Sequence, residues 1–172
     1  GETDRLYGKR WKALSWLRLR LQTRWIPCCH GQRGFSLPER FHASHPEYFA
    51  LLDKGGKLVR DAAEHYQGEN NQHMCHTSAV WDEIYEDCKA YLSGAKAETR
   101  GILRDWQKGE YGWTGSFQRP YIDIMAQDGM QPCQCENCQK AYDKSTGQYA
   151  TELIWGNTAK LARRLKAAGF KD

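Results

Sequence analysis

Valine is almost absent from this chain, with Val59 and Val80 the two copies in 172 residues. Antiparallel barrels and β-sandwiches draw their strands from β-branched residues, so neither fold is expected. Aliphatic side chains are scarce as a group: 14 Leu, 6 Ile, 2 Val and 5 Phe make 27 of 172. A share that low also marks disordered chains, but those carry a large net charge and few aromatics. Here 25 Lys and Arg face 21 Asp and Glu, and 7 Trp, 9 Tyr and 5 Phe are present. The expected core is therefore aromatic and thin. Long apolar runs are missing too: none exceeds the five residues 48–52, against the roughly 20 needed to cross a bilayer. No membrane partner is expected. The sequence also lacks a nucleotide-binding glycine loop, a GxSxG elbow and an HExxH helix, which sets aside the commonest ATPase, α/β-hydrolase and metalloprotease classes and calls for no organic cofactor.

Charge is unevenly placed. Residues 1–40 carry nine Lys/Arg against three acids, residues 41–138 nine against fifteen, and residues 139–172 seven against three. Two basic helices thus flank an acidic middle. A nucleic-acid partner would need a continuous basic stripe or a recognisable module, and neither is visible, so these charges read as solvated helix faces.

Periodicity predicts the elements. Tyr7, Trp11, Leu14, Leu17 and Leu21 recur every three or four residues, an amphipathic helix over 6–22. Residues 23–29 read as a strand running into Cys28-Cys29-His30-Gly31. A helical stretch over 38–52 ends at Gly55-Gly56. Residues 72–76 form a second short strand, after which Thr77-Ser78 cap a helix through Val80, Trp81, Ile84, Tyr85, Cys88, Tyr91 and Leu92, stopped by Ser93-Gly94. A weaker helix over 95–107 leads to the glycine- and aromatic-rich loop 109–118, and then to a strand over 121–126. The last helix begins near Thr146 and stops at Gly169. One helix followed by three strand–loop–helix units implies parallel strands joined by crossover helices, an α/β architecture in a single segment over 1–172.

In parallel α/β folds the site lies where the strands' C-terminal ends converge. Those ends are Cys29-His30-Gly31, Cys75-His76-Thr77 and Gln127-Asp128-Gly129. Asp128, directly beyond the best strand, is placed to act as a general acid or to hydrogen-bond a sugar hydroxyl, though Asp-Gly is also an ordinary turn. Cys133, Cys135 and Cys138 offer three thiolates within six residues. That spacing suits tetrahedral zinc if Cys75, His76, Cys29 or His30 supplies a fourth ligand. Packed free thiols, or a disulfide within the loop, are the alternatives. The loop 109–118, with Tyr111, Trp113 and Phe117, either stacks on sugar rings or covers the core; its entry into a strand favours covering.

Several stretches taken together resemble a known family. They are His45-Pro-Glu-Tyr-Phe-Ala-Leu-Leu-Asp53 with Gly56-Lys57, then Gln72-His-Met-Cys75-His-Thr-Ser78, then Asp128-Gly with Cys133-Gln-Cys135-Glu-Asn-Cys138, and Asn157 on the last helix. In this order they are similar to an uncharacterised bacterial, carbohydrate-associated family of the TIM-barrel glycoside hydrolase type, often found behind a small domain like the N-terminal domain of α-glucuronidases. The resemblance implies a partial (β/α)8 barrel of about three βα units in a periplasmic or secreted protein. It further implies glycoside hydrolysis of a polysaccharide or oligosaccharide. Asp128 would then be the acid, and His30, His76 and Gln127 the substrate contacts. Members usually carry His-Ser where this chain has His30-Gly31, and Asn-Asp where it has Gln127-Asp128. A CxCxxC loop helps hold zinc in some barrel β-galactosidases, which implies a structural zinc on Cys133, Cys135, Cys138 and Cys75. The expected partners are a carbohydrate and either the rest of the barrel or a second copy of the chain, covering exposed apolar faces. A noncatalytic, zinc-stabilised module that binds glycans or a protein is the alternative function.

Overall fold

The computed structural model describes residues 30–60, 73–119, 121–126 and 130–170. The helix expected over 6–22 and the strand over 23–29 lie outside them. Among the described residues the first helix, α1, is Leu37–Phe41, with Pro38 in its first turn where a missing N–H costs nothing. A one-turn 3₁₀ segment, Pro46–Tyr48, follows it. Strands β1 (Leu51–Lys54) and β2 (Lys57–Arg60) then pair antiparallel, with Leu52 opposite Val59 and both buried. The two residues between them, Gly55 and Gly56, have φ of 66° and 88°. Two positive φ values in a two-residue link are the signature of a tight hairpin turn, which glycine adopts without a Cβ penalty.

This hairpin corrects the reading of a helix over 38–52, and similar hairpins correct the larger expectation of a barrel. The sheets are three antiparallel pairs: β1 with β2, β3 (Leu103–Asp105) with β4 (Glu110–Tyr111), and β5 (Phe117–Gln118) with β6 (Tyr121–Ile122). No strand pairs in parallel among the described residues, so the chain does not form βα units of a TIM barrel. The reason is connection length: a parallel pair needs a crossover of a dozen or more residues, whereas these strands are joined by a few. The segment 72–76, read as a parallel strand, contributes one antiparallel bridge from Met74 to Phe49. The segment 121–126 pairs only at its start. Farther along, Ala126 O accepts from His30 N–H (3.3 Å) and Met125 O from Gln32 N–H (3.1 Å), at the start of a 3₁₀ turn spanning Gly31–Phe35.

Helix α2, Val80–Leu92, lies where the periodicity placed it. Val80, Trp81, Ile84 and Cys88 form its buried stripe, and Asp82 and Glu83 in the first turn favour its dipole. The weaker helix expected over 95–107 shrinks to one 3₁₀ turn, Ala97–Arg100, before β3 begins. The short helix α3, Glu136–Lys140, follows the cysteine loop. A π-helical segment, Ala150–Trp155, runs directly into α4, Gly156–Ala167, and Gly169 at φ 91° lies just beyond its end.

Two apolar clusters result. The larger joins Phe35, Phe49, Met74, Ile84, Ile102 and Phe117, with Trp113 packed against it. The loop 109–118 therefore covers the core. The smaller cluster joins Ala50, Leu52, Tyr149 and Leu153 to Cys75, Cys133 and Cys138. Between α1 and α2 lies the fully buried Asp87. Its carboxylate accepts from Arg40 Nη1 (2.6 Å), Arg40 Nη2 (3.1 Å) and Arg100 Nε (2.7 Å). Burial pushes the Asp87 carboxyl up, and the two guanidiniums oppose that shift.

Candidate metal centre

Two chain segments build the centre. Cys75 sits where residues 73–75 run antiparallel to 48–50: Ala50 N–H donates to His73 O at 2.8 Å and Cys75 N–H to Tyr48 O at 2.9 Å. A turn follows at once, closed by Ser78 N–H on Cys75 O (3.0 Å) and by Ser78 Oγ on the same oxygen (2.7 Å). Asn157 on α4 fixes the turn from the other side, its Nδ2 donating to His76 O.

The second segment is the CxCxxC loop. Gln134 N–H donates to Leu51 O at 2.6 Å, Cys133 N–H to Tyr149 Oη at 3.2 Å, and Gln139 Nε2 to Cys133 O at 2.7 Å. The loop is thereby held against β1 and the π-helical segment. Cys135 caps α3, its sulfur accepting from Cys138 N–H at 3.4 Å. Cysteine at a helix N-terminus turns its thiol back toward the first-turn amides, which brings Cys135 and Cys138 to the same side.

These constraints bring the sulfurs of Cys75, Cys133, Cys135 and Cys138 within 4.8 Å of one another. Cys75 Sγ lies 3.6 Å from Cys135 Sγ and 3.7 Å from Cys138 Sγ. With metal–sulfur bonds near 2.3 Å, the edge of a regular tetrahedron is about 3.8 Å. A disulfide requires about 2.05 Å, and all four cysteines are free thiols. The quartet can therefore hold a metal ion. Three of the four residues are buried and Cys135 is half-buried.

The thiols of the quartet act on one another through shared hydrogen bonds. Hydrogen bonds from Cys133 and Cys138 hold the Cys75 thiol far below the ordinary thiol range, while donation to Cys138 and Cys75 pushes Cys133 up. Burial keeps the Tyr149 phenol protonated by raising it further.

The other expected site residues fare differently. His76 is buried at 3% exposure, its ring against Trp81 and Tyr149, and burial pushes its pKa down to about 4. It is not among the residues lining the depression described below. His30 is half-buried beside the Asp123–Ala126 backbone and, like His76, is outside the metal-ligating group. Asp128 and Gln127 lie outside the described residues, as do Cys28 and Cys29. Among the described candidates for the fourth ligand, the fold brings Cys75 to the loop.

Sequence reasoning missed Thr77, whose Oγ1 is 3.2 Å from Cys138 Sγ. It was read as part of a helix cap, though its position two residues after Cys75 was a usable signal. Elsewhere, a shallow depression of about 580 Å³ is lined by Tyr91, Gly94, Ala95, Trp113, Gln118 and Arg119. Trp113 Nε1 donates to Ala95 O at 3.0 Å, which fixes the indole. No described helix is long and apolar enough to cross a membrane. No family model matches this chain, and neither the curated proteins nor the solved structures contain a match.

Proposed function

We propose that this chain is a noncatalytic binding module stabilised by a structural zinc on Cys75, Cys133, Cys135 and Cys138. The observation that carries the reading is the quartet of sulfurs at near-tetrahedral spacing, drawn from two segments 58 residues apart. Four thiolates and no open position describe a closed site, the usual form of structural zinc, whereas catalytic zinc keeps a position for water. Divalent zinc also offsets the charge that four buried thiolates would otherwise concentrate. The binding surface that fits this role is the Trp113 depression, whose fixed indole, Gln118 amide and Arg119 guanidinium suit a glycan ring and its hydroxyls.

Elemental analysis of the chain purified without added chelator tests the metal, with one zinc per chain expected. Metal below a tenth of an equivalent, with four reactive thiols in the native protein, overturns the reading. Titration with soluble oligosaccharides, comparing the native chain with Trp113→Ala, tests the surface. Binding that survives the substitution removes the depression from the proposal.

The glycoside hydrolase reading is supported by the resemblance in sequence order alone. Sugar release from polysaccharides by the chain, with and without Asp128→Asn, tests it, and unchanged turnover in the variant overturns the role of Asp128.

A further inference from the structure

Backbone N–H groups donate to two of the four sulfurs, and a hydroxyl lies within hydrogen-bond distance of a third. Leu51 N–H points to Cys133 Sγ at 3.3 Å, Cys138 N–H to Cys135 Sγ at 3.4 Å, and Thr77 Oγ1 sits 3.2 Å from Cys138 Sγ. The first two are backbone groups, which a side-chain truncation leaves in place. Thr77 is the side-chain donor of the set, and its oxygen also lies 3.7 Å from Cys75 Sγ and 3.9 Å from Cys135 Sγ. It therefore stands over the face formed by three sulfurs, with Cys138 nearest. The same tight turn that presents Cys75 puts it there, since Ser78 N–H closes back on Cys75 O.

A hydroxyl both donates and accepts, so among four thiols its role is ambiguous. Thiolates have no proton to give. Around a divalent cation the quartet carries a net charge of −2, and Thr77 Oγ1–H can then serve only as donor. Such a bond is charge-assisted and draws electron density from the sulfur. Groups that hydrogen-bond metal ligands commonly govern affinity and ligand basicity together.

We propose that Thr77 is a positioning residue of the metal centre: its Oγ1–H donates to the Cys138 thiolate and so raises the affinity of the quartet for a divalent, thiophilic cation. The proposal rests on the zinc reading above. Thr77 is itself exposed, so the isosteric Val removes the hydroxyl without disturbing the core.

The test compares wild type, Thr77→Val and Thr77→Ser, each loaded with cobalt(II) and then titrated with zinc against a chelator of known affinity. The sulfur-to-cobalt charge-transfer band reports the electron density on the thiolates. The expected result is a loss of affinity of about tenfold and a shifted band in Thr77→Val. Both return in Thr77→Ser, while the metal-free melting temperature is the same in all three. Wild-type affinity and an unshifted band in Thr77→Val, with one cobalt bound per chain, overturn the role of Thr77 and leave the metal site standing. Weakening that Thr77→Ser fails to repair, or that tracks a lower metal-free melting temperature, assigns the effect to packing and overturns the role as well. A wild-type chain that takes up no cobalt overturns the metal site and this proposal together.

Discussion

Asn157 donates its Nδ2 hydrogen to the backbone oxygen of His76 at 2.7 Å, across 81 residues of chain. The acceptor belongs to the residue that follows Cys75, so one amide on α4 fixes the orientation of a turn that presents a metal ligand. Asn157→Ala leaves that part-buried carbonyl without this donor, and such a loss costs about 1–3 kcal/mol. A urea titration of the variant should show a lower midpoint at an unchanged slope. A midpoint within error of wild type would mean that water replaces the amide at no cost.

Asp87 on α2 holds α1 through Arg40 and the 3₁₀ turn Ala97–Arg100 through Arg100. Removing one partner of a buried pair leaves an uncompensated charge, at a cost of about 3–5 kcal/mol. Asp87→Ala should lower stability by up to that amount, measured by chemical denaturation, because Glu83 still pairs with both guanidiniums. Arg100→Ala should cost less, because Arg100 is a quarter exposed and Arg40 still covers the carboxylate.

Cysteines of the quartet and the remaining described cysteine should behave in opposite ways. Cys88 is 1% exposed on the core face of α2, and burial pushes its thiol above the ordinary range. Cys88→Ala should leave metal stoichiometry at one. Cys75→Ala or Cys138→Ala should reduce it, read by cobalt absorbance or elemental analysis.

Metal removal should destabilise the fold in proportion to occupancy. At free zinc 100 times the dissociation constant, ligation to the folded state alone contributes about 2.7 kcal/mol. Stripping the chain with a chelator should lower its melting temperature, and returning zinc should restore it. A melting temperature indifferent to both treatments would contradict a structural role for the metal.

Two glycines offer a steric test. A Cβ on Gly31 would fall on the carbonyl oxygen and carboxylate of Asp123, a neighbour made partly of backbone. A Cβ on Gly115 meets nothing within 4 Å, and its φ is ordinary. Gly31→Ala should cost about 1–3 kcal/mol, while Gly115→Ala should be neutral or slightly stabilising. Thermal melts of the two variants side by side are sufficient to distinguish them.

What could be read from sequence follows the range of the interactions involved. Helix α2 was legible because its acids, apolar stripe and Ser93-Gly94 stop are all within a few residues of each other. The CxCxxC loop was legible for the same reason, and Cys75 was among the fourth ligands it allowed. The hairpins were not. Strands of two to four residues show too little alternation to declare a period, and Tyr48 to Leu52 read as a helical stripe until Gly55-Gly56 folded β1 back on β2. The same pair had served as a helix stop, a reading equally consistent with glycine. Antiparallel pairing then replaced the expected crossovers, and the barrel went with them. Leu51 could not be recognised at all as a neighbour of Cys133, since it contributes a backbone N–H that any residue would provide.

The distance in sequence between the two halves of the quartet has a thermodynamic meaning of its own. Cys75 and Cys135 are 60 positions apart, and the chain between them contains α2 and the two later hairpins. An ion bound at both ends closes that stretch into a ring. In the chain-entropy account, a covalent link closing a loop of this size restricts the unfolded ensemble by about 4 kcal/mol. A bound metal would act in the same direction for as long as its bonds survive unfolding, as a cross-link that the availability of a cation makes or breaks.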